Sequence, residues 1–173
     1  MGDQPDAGVN AEQDVDQSTK AQAAKRAKTL IVILMADDDE DDRMMAKEAM
    51  EEVRLDNPLR FVEDGEELVD YLYQRGKYTA QNAPRPGLIL LDLNMPKKDG
   101  REALKEIKAD ADLRQIPIVV LTTSKAEEDI CRTYDLGVNS FITKPVTFAG
   151  LVEVMRTLKS YWFSIVELPR DKP

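Results

Sequence analysis

The segment that decides the fold is a short apolar run that leads directly into an acidic loop, Leu88-Ile89-Leu90-Leu91-Asp92-Leu93-Asn94-Met95-Pro96-Lys97-Lys98-Asp99-Gly100. Four consecutive apolar residues are typical of a strand buried on both faces of a parallel sheet. Pro96 and Asp99-Gly100 are ordinary loop residues, and Asp99-Gly100 predicts the start of a helix. A loop alone does not explain an aspartate placed directly after the strand, so Asp92 is a candidate functional residue.

Three further apolar runs end on polar residues in the same way. Residues 30–36 lead into Asp37-Asp38, residues 118–121 into Thr122-Thr123, and residues 141–143 into Lys144-Pro145. In an open α/β sheet, ligands bind outside the carboxyl ends of the parallel strands, where the strand order reverses. The sequence therefore predicts that three carboxylates, a hydroxyl and an amine meet in one crevice, which would suit a divalent cation and a phosphate group.

Strand and helix patterns alternate from residue 29 onward. Strands are predicted at 29–36, around Phe61-Val62, and at 88–91, 117–122 and 139–143. Helices are predicted at 41–54, at 65–75, from Asp99-Gly100 onward, and at 125–136 and 147–160. This alternation predicts an α/β protein of (βα)5 type with a parallel sheet covered by helices on both faces. Residues 1–28 are polar and are predicted to form a disordered tail.

Composition and charge exclude several classes of protein. The chain has 173 residues, of which 42% are hydrophobic, which is enough for one globular domain. A net charge of −9 argues against DNA, RNA or an anionic membrane as the partner. No apolar run approaches the roughly 18 residues that span a bilayer. A single cysteine and the lack of a signal-peptide pattern predict a cytoplasmic protein.

The chain contains no histidine, and this absence excludes more kinds of functional site than the length, the composition or the net charge does. Catalysis by Ser-His-Asp or Cys-His groups and zinc sites built on histidine are excluded. The chain also cannot carry a phosphohistidine. Any phosphoryl group that reaches it must come from another molecule.

Six consecutive carboxylates occupy residues 37–42, and a solvated acidic run is the simplest explanation for them. Asp41 or Asp42 would also serve as an ordinary helix N-cap. A calcium-binding loop starting at Asp37 fails, because its sixth position is Asp42 rather than glycine and a strand precedes it. The position of the run, between a strand and a helix, favours a functional role for its first residues.

A cluster of carboxylates costs stability unless a cation lies within it. At an effective dielectric constant near 20, two carboxylates about 4 Å apart repel by about 4 kcal/mol. Magnesium prefers oxygen ligands, including one or two carboxylates and several waters, which this crevice would supply. Thr122 and Lys144 taken singly could be an ordinary strand residue and a surface charge, but their joint placement at strand ends favours a phosphoryl site.

These residues resemble the response-regulator receiver domain of two-component signalling over about residues 29–160. The resemblance rests on elements in the family's order and spacing, namely Asp37-Asp38, Asp92 at the head of DLNMPKKDG, Thr122, Phe141 and Lys144-Pro145. It implies a flavodoxin-like, doubly wound fold with strand order 2-1-3-4-5. The loop at 76–86 and the segment 161–173 are similar to the single-domain receivers associated with cyanobacterial phytochromes.

The resemblance also implies a role for each site residue. Asp92 would be the phosphoacceptor, with Thr122 and Lys144 contacting the phosphoryl oxygens. Mg²⁺ would be bound directly by Asp38 and Asp92 and by the backbone carbonyl of Asn94, with Asp37 acting mostly through water. Phe141 would be a rotameric switch coupled to Thr122. The peptide bond between Lys144 and Pro145 would be cis.

Two functional classes follow from these residues. The first is a single-domain response regulator that is phosphorylated on Asp92 by a sensor histidine kinase or phosphotransfer protein, which makes it a signalling protein rather than an enzyme. The second is a magnesium phosphohydrolase of the haloacid-dehalogenase type. That class normally places its nucleophile and acid two residues apart after strand one, followed by Thr or Val, and has a cap domain. Here the spacing is present but the Thr or Val is not, and no residues remain for a cap. The sequence favours the response regulator.

The C-terminal extension, 161–173, carries six large apolar residues that a minimal receiver does not need: Tyr161, Trp162, Phe163, Ile165, Val166 and Leu168. If these residues lay in water, they would form a patch of a size that usually marks an interface. One hypothesis is a homodimer through this segment and the last strand–helix face. The alternative, equally weighted, is a strut packed on its own domain.

Overall fold

Five strands and five helices alternate along residues 30–169, which are the residues that the computed structural model describes. The strands are β1 (Ile33–Ala36), β2 (Leu59–Val62), β3 (Leu88–Leu91), β4 (Ile118–Thr122) and β5 (Ser140–Thr143). The helices are α1 (Glu40–Glu52), α2 (Gly65–Tyr73), α3 (Gly100–Ala109), α4 (Glu127–Asp135) and α5 (Phe148–Ser160). The predicted (βα)5 architecture is confirmed. The tail predicted at 1–28 lies outside the described residues.

The strands form one parallel sheet in the order β2-β1-β3-β4-β5, as predicted. Ile33 of β1 lies opposite Leu59 of β2 on one side and Leu88 of β3 on the other. The order of the strands reverses between β1 and β3, so the carboxyl ends of these two central strands are adjacent at the switch point. β4 and β5 continue the sheet to its second edge.

Two hydrophobic layers cover the two faces of the sheet, because alternate residues of each strand point to opposite faces. On one face, Leu34, Ile89 and Val120 pack in a cluster with residues of α2 and α3. On the other face, Met35 and Leu90 pack with residues of α1 and α5. α4 contributes little to either layer, since Thr133 is the one buried residue of this fully described helix.

The hydrogen bonds of the acidic run between β1 and α1 show which of its residues caps the helix. Asp39 is the N-cap of α1, with its carboxylate accepting from the backbone N–H groups of Asp41 at 2.9 Å and Asp42 at 3.3 Å. The prediction that Asp41 or Asp42 caps the helix is therefore wrong. Asp39 takes the role because its backbone is extended, which directs its side chain onto the first turn.

The segment after α5 packs on its own domain. A single π-helical turn at Tyr161–Ile165 carries Trp162 into the buried cluster on the α1 and α5 face, where only 6% of it is exposed. Phe163, Val166 and Leu168 are partly buried against the same cluster. The six apolar side chains therefore do not all lie in water, although Tyr161 and Ile165 remain 52% and 72% exposed. Whether the segment acts as a strut or as a dimer contact remains a prediction.

A lysine near the end of α5 forms hydrogen bonds with the backbone at the end of α1. Lys159 Nζ donates to the carbonyl oxygens of Val53 at 2.7 Å and Arg54 at 2.9 Å, which lie just beyond the end of α1. These carbonyls have no partner within the helix, so a cation placed there satisfies them and opposes the negative end of the helix dipole.

Three further observations complete the fold. A short 3₁₀ turn at Leu113–Gln115 precedes β4 and was not predicted. The bond between Lys144 and Pro145 is trans, so the expected cis bond is wrong; trans is the lower-energy form even before proline. Within residues 30–169, no helix combines the length and the apolar character that crossing a membrane requires.

Candidate functional site

The polar residues predicted to converge at one edge of the sheet do so. Asp37 follows β1, Asp92 follows β3, Thr122 ends β4 and Lys144 follows β5. The Thr122 hydroxyl donates to Asp92 Oδ1 at 2.7 Å, and Lys144 Nζ lies 3.2 Å from Asp92 Oδ2. Each oxygen of the Asp92 carboxylate therefore has a different partner, one a hydroxyl and the other an ammonium group.

Lys144 is the positive centre of the site. Its Nζ lies 2.7 Å from Asp37 Oδ2 and 2.6 Å from Asp42 Oδ2, in addition to its contact with Asp92. Burial lowers the pKa of Lys144, but the surrounding carboxylates raise it more strongly, and the net pKa lies above the ordinary lysine value. Lys144 therefore carries a full positive charge at any physiological pH.

The site holds more negative charge than Lys144 can neutralise. Carboxylate oxygens of Asp37, Asp38 and Asp92 lie within 4.8 Å of one another, with Asp37 and Asp92 buried and Asp38 exposed. Within residues 30–169, no group makes a well-oriented hydrogen bond to Asp37 Oδ2, although Lys144 Nζ is in ionic contact with it. A buried carboxylate oxygen without a hydrogen bond, beside two other carboxylates, fits a ligand of a hard divalent cation.

The pKa of Asp37 is raised above its ordinary value, chiefly because the residue is buried. Burial raises the pKa of Asp37 to about 6, and the nearby Lys144 ammonium opposes this shift without cancelling it. The neighbouring Asp92 carboxylate raises the pKa further. A second positive charge in the site would favour the ionised form of Asp37.

Asp42 is a site residue that the sequence did not predict. It lies in the first turn of α1, and its contact with Lys144 joins this helix to the end of β5. The sequence offered one signal, since Asp42 is the third residue after the true N-cap, Asp39. Six consecutive acidic residues do not show which of them is the N-cap, so the position of Asp42 in the helix could not be predicted from the sequence.

The loop after β3 wraps closely around Asp92. The N–H of Asn94 donates to Asp92 Oδ1 at 3.2 Å, and the N–H of Gly100 donates to the Leu93 carbonyl at 2.8 Å. A Cβ atom at position 100 would lie 2.2 Å from the Asp92 carbonyl oxygen, so only glycine fits there. The predicted role of the Asn94 carbonyl as a metal ligand remains a prediction.

Phe141, the predicted switch residue, lies on β5 and is partly buried against the α2 and α3 side of the core. Its backbone N–H donates to the hydroxyl of Tyr134, an exposed residue of α4, at 3.2 Å. The backbone of Phe141 is thus joined to α4 through Tyr134, and the role of Phe141 as a switch remains a prediction.

Several known proteins are similar to this chain in sequence and in architecture. Response regulator Rcp1 of Synechocystis sp. is 44% identical over 125 residues, which is 72% of this chain and 84% of Rcp1. The crystal structure of the Mn²⁺-bound form of Rcp1 aligns with 81% of this chain, and the alignment includes 99% of the Rcp1 chain. The TM-score is 0.74 and the sequence identity is 43%. The crystal structure of the phosphorylated cyanobacterial phytochrome response regulator RcpA aligns with 82% of this chain, and the alignment includes 99% of the RcpA chain. The TM-score is 0.76 and the sequence identity is 43%.

These relatives confirm the predicted resemblance to regulators associated with cyanobacterial phytochromes. The family model of the response regulator receiver domain matches residues 33–156, which include all five strands and most of α5. The matched range also contains the whole carboxylate cluster, Thr122 and Lys144. The chain therefore belongs to the response regulator receiver domain family.

Proposed function

We propose that the protein takes one phosphoryl group onto Asp92, in a Mg²⁺-dependent reaction, from a sensor histidine kinase or a phosphotransfer protein. The observation that carries the proposal is the placement of the Asp92 carboxylate between the Thr122 hydroxyl and the Lys144 ammonium group. The phosphorylated protein would then signal through a conformational change that involves Phe141 and through contacts with other proteins. It would act in the cytoplasm as a signalling protein that assists its own phosphorylation, without binding DNA.

The residues of this chain account for the transfer step. An oxygen of Asp92 attacks the phosphorus of the partner's phosphohistidine, the bond from phosphorus to the imidazole nitrogen breaks, and the electron pair leaves with the imidazole. The imidazole must belong to the partner, because this chain has no histidine. The Lys144 ammonium and the Thr122 hydroxyl neutralise charge on the phosphoryl oxygens, which is the main catalytic need of such a transfer.

The carboxylate cluster would hold the magnesium ion. Asp38 and Asp92 would bind it directly with the Asn94 carbonyl, and Asp37 would act mostly through water. When bound, the ion supplies positive charge beside the phosphoryl oxygens. The support for this assignment is the close approach of three carboxylates and the lack of a well-oriented hydrogen bond to Asp37 Oδ2 among the described residues.

Incubation with acetyl phosphate tests the proposal, because this small donor needs no protein partner. With Mg²⁺ present, we expect the intact mass to rise by one phosphoryl group. With a chelator in place of Mg²⁺, no gain is expected, since the excess negative charge of the site would repel the donor. Steady release of inorganic phosphate from unrelated phosphomonoesters, without a mass gain, would instead support the phosphohydrolase alternative.

An exposed apolar patch beside the site suits the phosphoryl donor. Met44 and Met45 on α1, and Val146 and Phe148 after β5, are all exposed. Met45, Val146 and Phe148 line the same groove as Asp42 and Lys144, so the patch is continuous with the phosphoryl site. A donor protein that brings a histidine to Asp92 must cover this surface, and apolar contacts of this kind hold protein partners together.

The same assay with a phosphorylated histidine-containing donor tests this surface. Val146 is 98% exposed, so Val146→Asp should fold normally. We expect this variant to slow transfer from the protein donor and to leave labelling by acetyl phosphate unchanged. If both donors label the variant at the wild-type rate, the donor docks elsewhere.

We also propose a homodimer through the β5 and α5 face together with the C-terminal extension. β5 is an edge strand, and Ile142 forms an apolar groove with Val154 and Leu158 of α5. In the turn after α5, Tyr161 and Ile165 are 52% and 72% exposed, whereas Trp162 between them is buried. In a dimer with twofold symmetry, each copy would cover the groove of the other through the same set of contacts.

Sedimentation of the full-length chain tests the dimer. Ile165→Asp should convert dimers to monomers, because it places a charge in the interface without disturbing the buried Trp162. Val146→Asp is the matched control and should sediment as the wild type does. If the wild type is a monomer with and without phosphorylation, the dimer proposal is wrong.

A further inference from the structure

Two loops carry the groups that would bind the cation, and both are attached to the same corner of the fold. The first loop follows β1 and includes Asp37 and Asp38. The second loop, residues 92–99, follows β3 and includes Asn94. The corner is the turn at 63–65, which joins β2 to α2 and lies outside the carboxylate cluster that the structure describes.

Arg43 of α1 connects the first loop to this corner. Its Nη1 donates to the backbone carbonyl of Asp37 at 2.7 Å, and its Nη2 donates to Glu63 Oε1 at 3.2 Å. The Arg43 side chain is 14% exposed, whereas that of Glu63 is 69% exposed. Because an ion pair with an exposed partner contributes little stability, the main effect of Arg43 is to hold the Asp37 carbonyl, and with it the peptide that leads to Asp38.

Lys97 connects the second loop to the same corner. Its Nζ lies 2.7 Å from Asp64 Oδ2, and Asp64 is the buried N-cap residue of α2. The backbone N–H of Gly65 also donates to the Lys98 carbonyl at 2.9 Å. A Cβ atom at position 65 would lie 2.2 Å from that carbonyl oxygen, so the loop packs directly on the turn.

The backbone of Lys97 lies in the left-handed region, with a φ of 61°. Residues that have a side chain rarely adopt this conformation, so surrounding contacts must hold it in place. Burial raises the pKa of Asp64, but hydrogen bonds from Lys97 and from the backbone of Glu67 lower it more, and the net pKa lies below the ordinary value. Asp64 is therefore ionised at neutral pH, and its contact with Lys97 opposes relaxation of the loop.

We propose that Arg43 and Lys97 are positioning residues for the cation site, because they hold the two ligand-bearing loops against the corner at 63–65. The inference rests on the magnesium site of the proposed function. Arg43 would keep the Asp38 carboxylate in place, and Lys97 would keep the Asn94 carbonyl in place. Neither side chain is itself a ligand, because a protonated amine or guanidinium group has no lone pair to offer a metal ion.

The positive charge of both residues separates a positioning role from an electrostatic one. A positive charge near a bound cation repels it, so removal of Arg43 or Lys97 should strengthen cation binding if charge is their only effect. Loss of a contact that orients the ligands should weaken binding instead, typically by about 10–100-fold in metal affinity. The direction of the change therefore decides between the two roles.

The experiment measures the Mn²⁺ affinity of the full-length chain from the electron paramagnetic resonance signal of the free ion. Mn²⁺ takes the same oxygen ligands as Mg²⁺, and the measurement needs no phosphoryl donor. We expect Arg43→Met and Lys97→Met each to weaken Mn²⁺ binding about tenfold. Lys47→Met removes a positive charge from the same helix as Arg43, in an exposed pair with Glu51, and should bind Mn²⁺ at least as tightly as the wild type does.

Two further variants test the same contacts, and circular dichroism without divalent cations checks that every variant is folded. Asp64→Ser keeps a residue that can cap α2 and removes the partner of Lys97. Combined with Lys97→Met it restores the net charge, so charge alone predicts wild-type affinity. Loss of one shared contact instead predicts the same loss, about tenfold, as in either single variant. Arg43→Lys keeps the charge but lacks the planar fork that reaches both Asp37 and Glu63, so it should also weaken binding.

Each result supports or overturns the inference. Mn²⁺ affinity that is unchanged or higher in Arg43→Met or Lys97→Met overturns it while the proposed function stands, and so does an equal loss of affinity in Lys47→Met. Wild-type affinity in the double variant also overturns it, since the two residues would then act by charge. If the wild type binds no Mn²⁺, the magnesium site and this inference fail together. If the variants lose affinity as expected but the wild type gains no phosphoryl group, this inference stands and the phosphorylation proposal fails.

Discussion

Asp92→Asn should gain no phosphoryl group from acetyl phosphate under conditions in which the wild type gains one. An amide cannot supply the carboxylate oxygen that forms the bond to phosphorus. The fold should survive, because Lys144 still pairs with Asp37 and Asp42. Intact mass after incubation with Mg²⁺ gives the answer directly.

The control for this variant comes from the same acidic region. Asp41 is exposed, and its backbone, rather than its side chain, takes part in the helix cap. Asp41→Asn should therefore gain one phosphoryl group as the wild type does. Equal labelling of Asp92→Asn and the wild type would place the phosphoryl group on another residue.

Lys144→Met should slow phosphorylation by about 10²–10³-fold, which is the usual cost of removing one preorganised group that stabilises developing charge. It should also lower the free energy of unfolding by about 3–5 kcal/mol without divalent cations, because Asp37 would remain buried without its ionic partner. Added Mg²⁺ should recover part of this stability by binding the folded state. Urea unfolding with and without Mg²⁺ and initial labelling rates measure the two effects.

Lys47→Met provides the matched comparison. Lys47 forms an exposed ion pair with Glu51 at 4.0 Å on α1, and such pairs contribute only about 0.3–0.5 kcal/mol. This variant should unfold and be labelled almost as the wild type is. If Lys144→Met is labelled at the wild-type rate, Lys144 plays no part in the transfer.

The site was predictable wherever a residue ends a strand or directly follows one. Asp37, Asp92, Thr122 and Lys144 could be placed together from sequence because parallel strands bring their carboxyl ends to one edge. Asp42 could not, because its contact depends on which of six consecutive acids begins α1. The contact between Lys97 and Asp64 could not either, since these residues are 33 positions apart and neither directly follows a strand.

The fold was predictable in its long elements and not in its short ones. The five strands and five helices follow from apolar runs, helix-spaced apolar residues and turn signals, whereas the strand order was implied by the resemblance to the receiver family. The 3₁₀ turn at Leu113–Gln115 and the π-helical turn at Tyr161–Ile165 depend on what they pack against. The burial of Trp162 shows this most clearly, because its sequence pattern fits an interface as well as it fits a core.

The origin of the site residues in four different strand ends has a consequence for newly made protein. A nascent chain that has emerged from the ribosome through β3 contains Asp37, Asp38 and Asp92, but neither Thr122 nor Lys144. Asp92 then lacks both groups that neutralise the incoming charge, and the sheet beside it is incomplete. If Asp92 accepts the phosphoryl group, as proposed, translation must pass β5 before every group of the site is present, and a phosphoryl donor would then label finished copies and not unfinished ones.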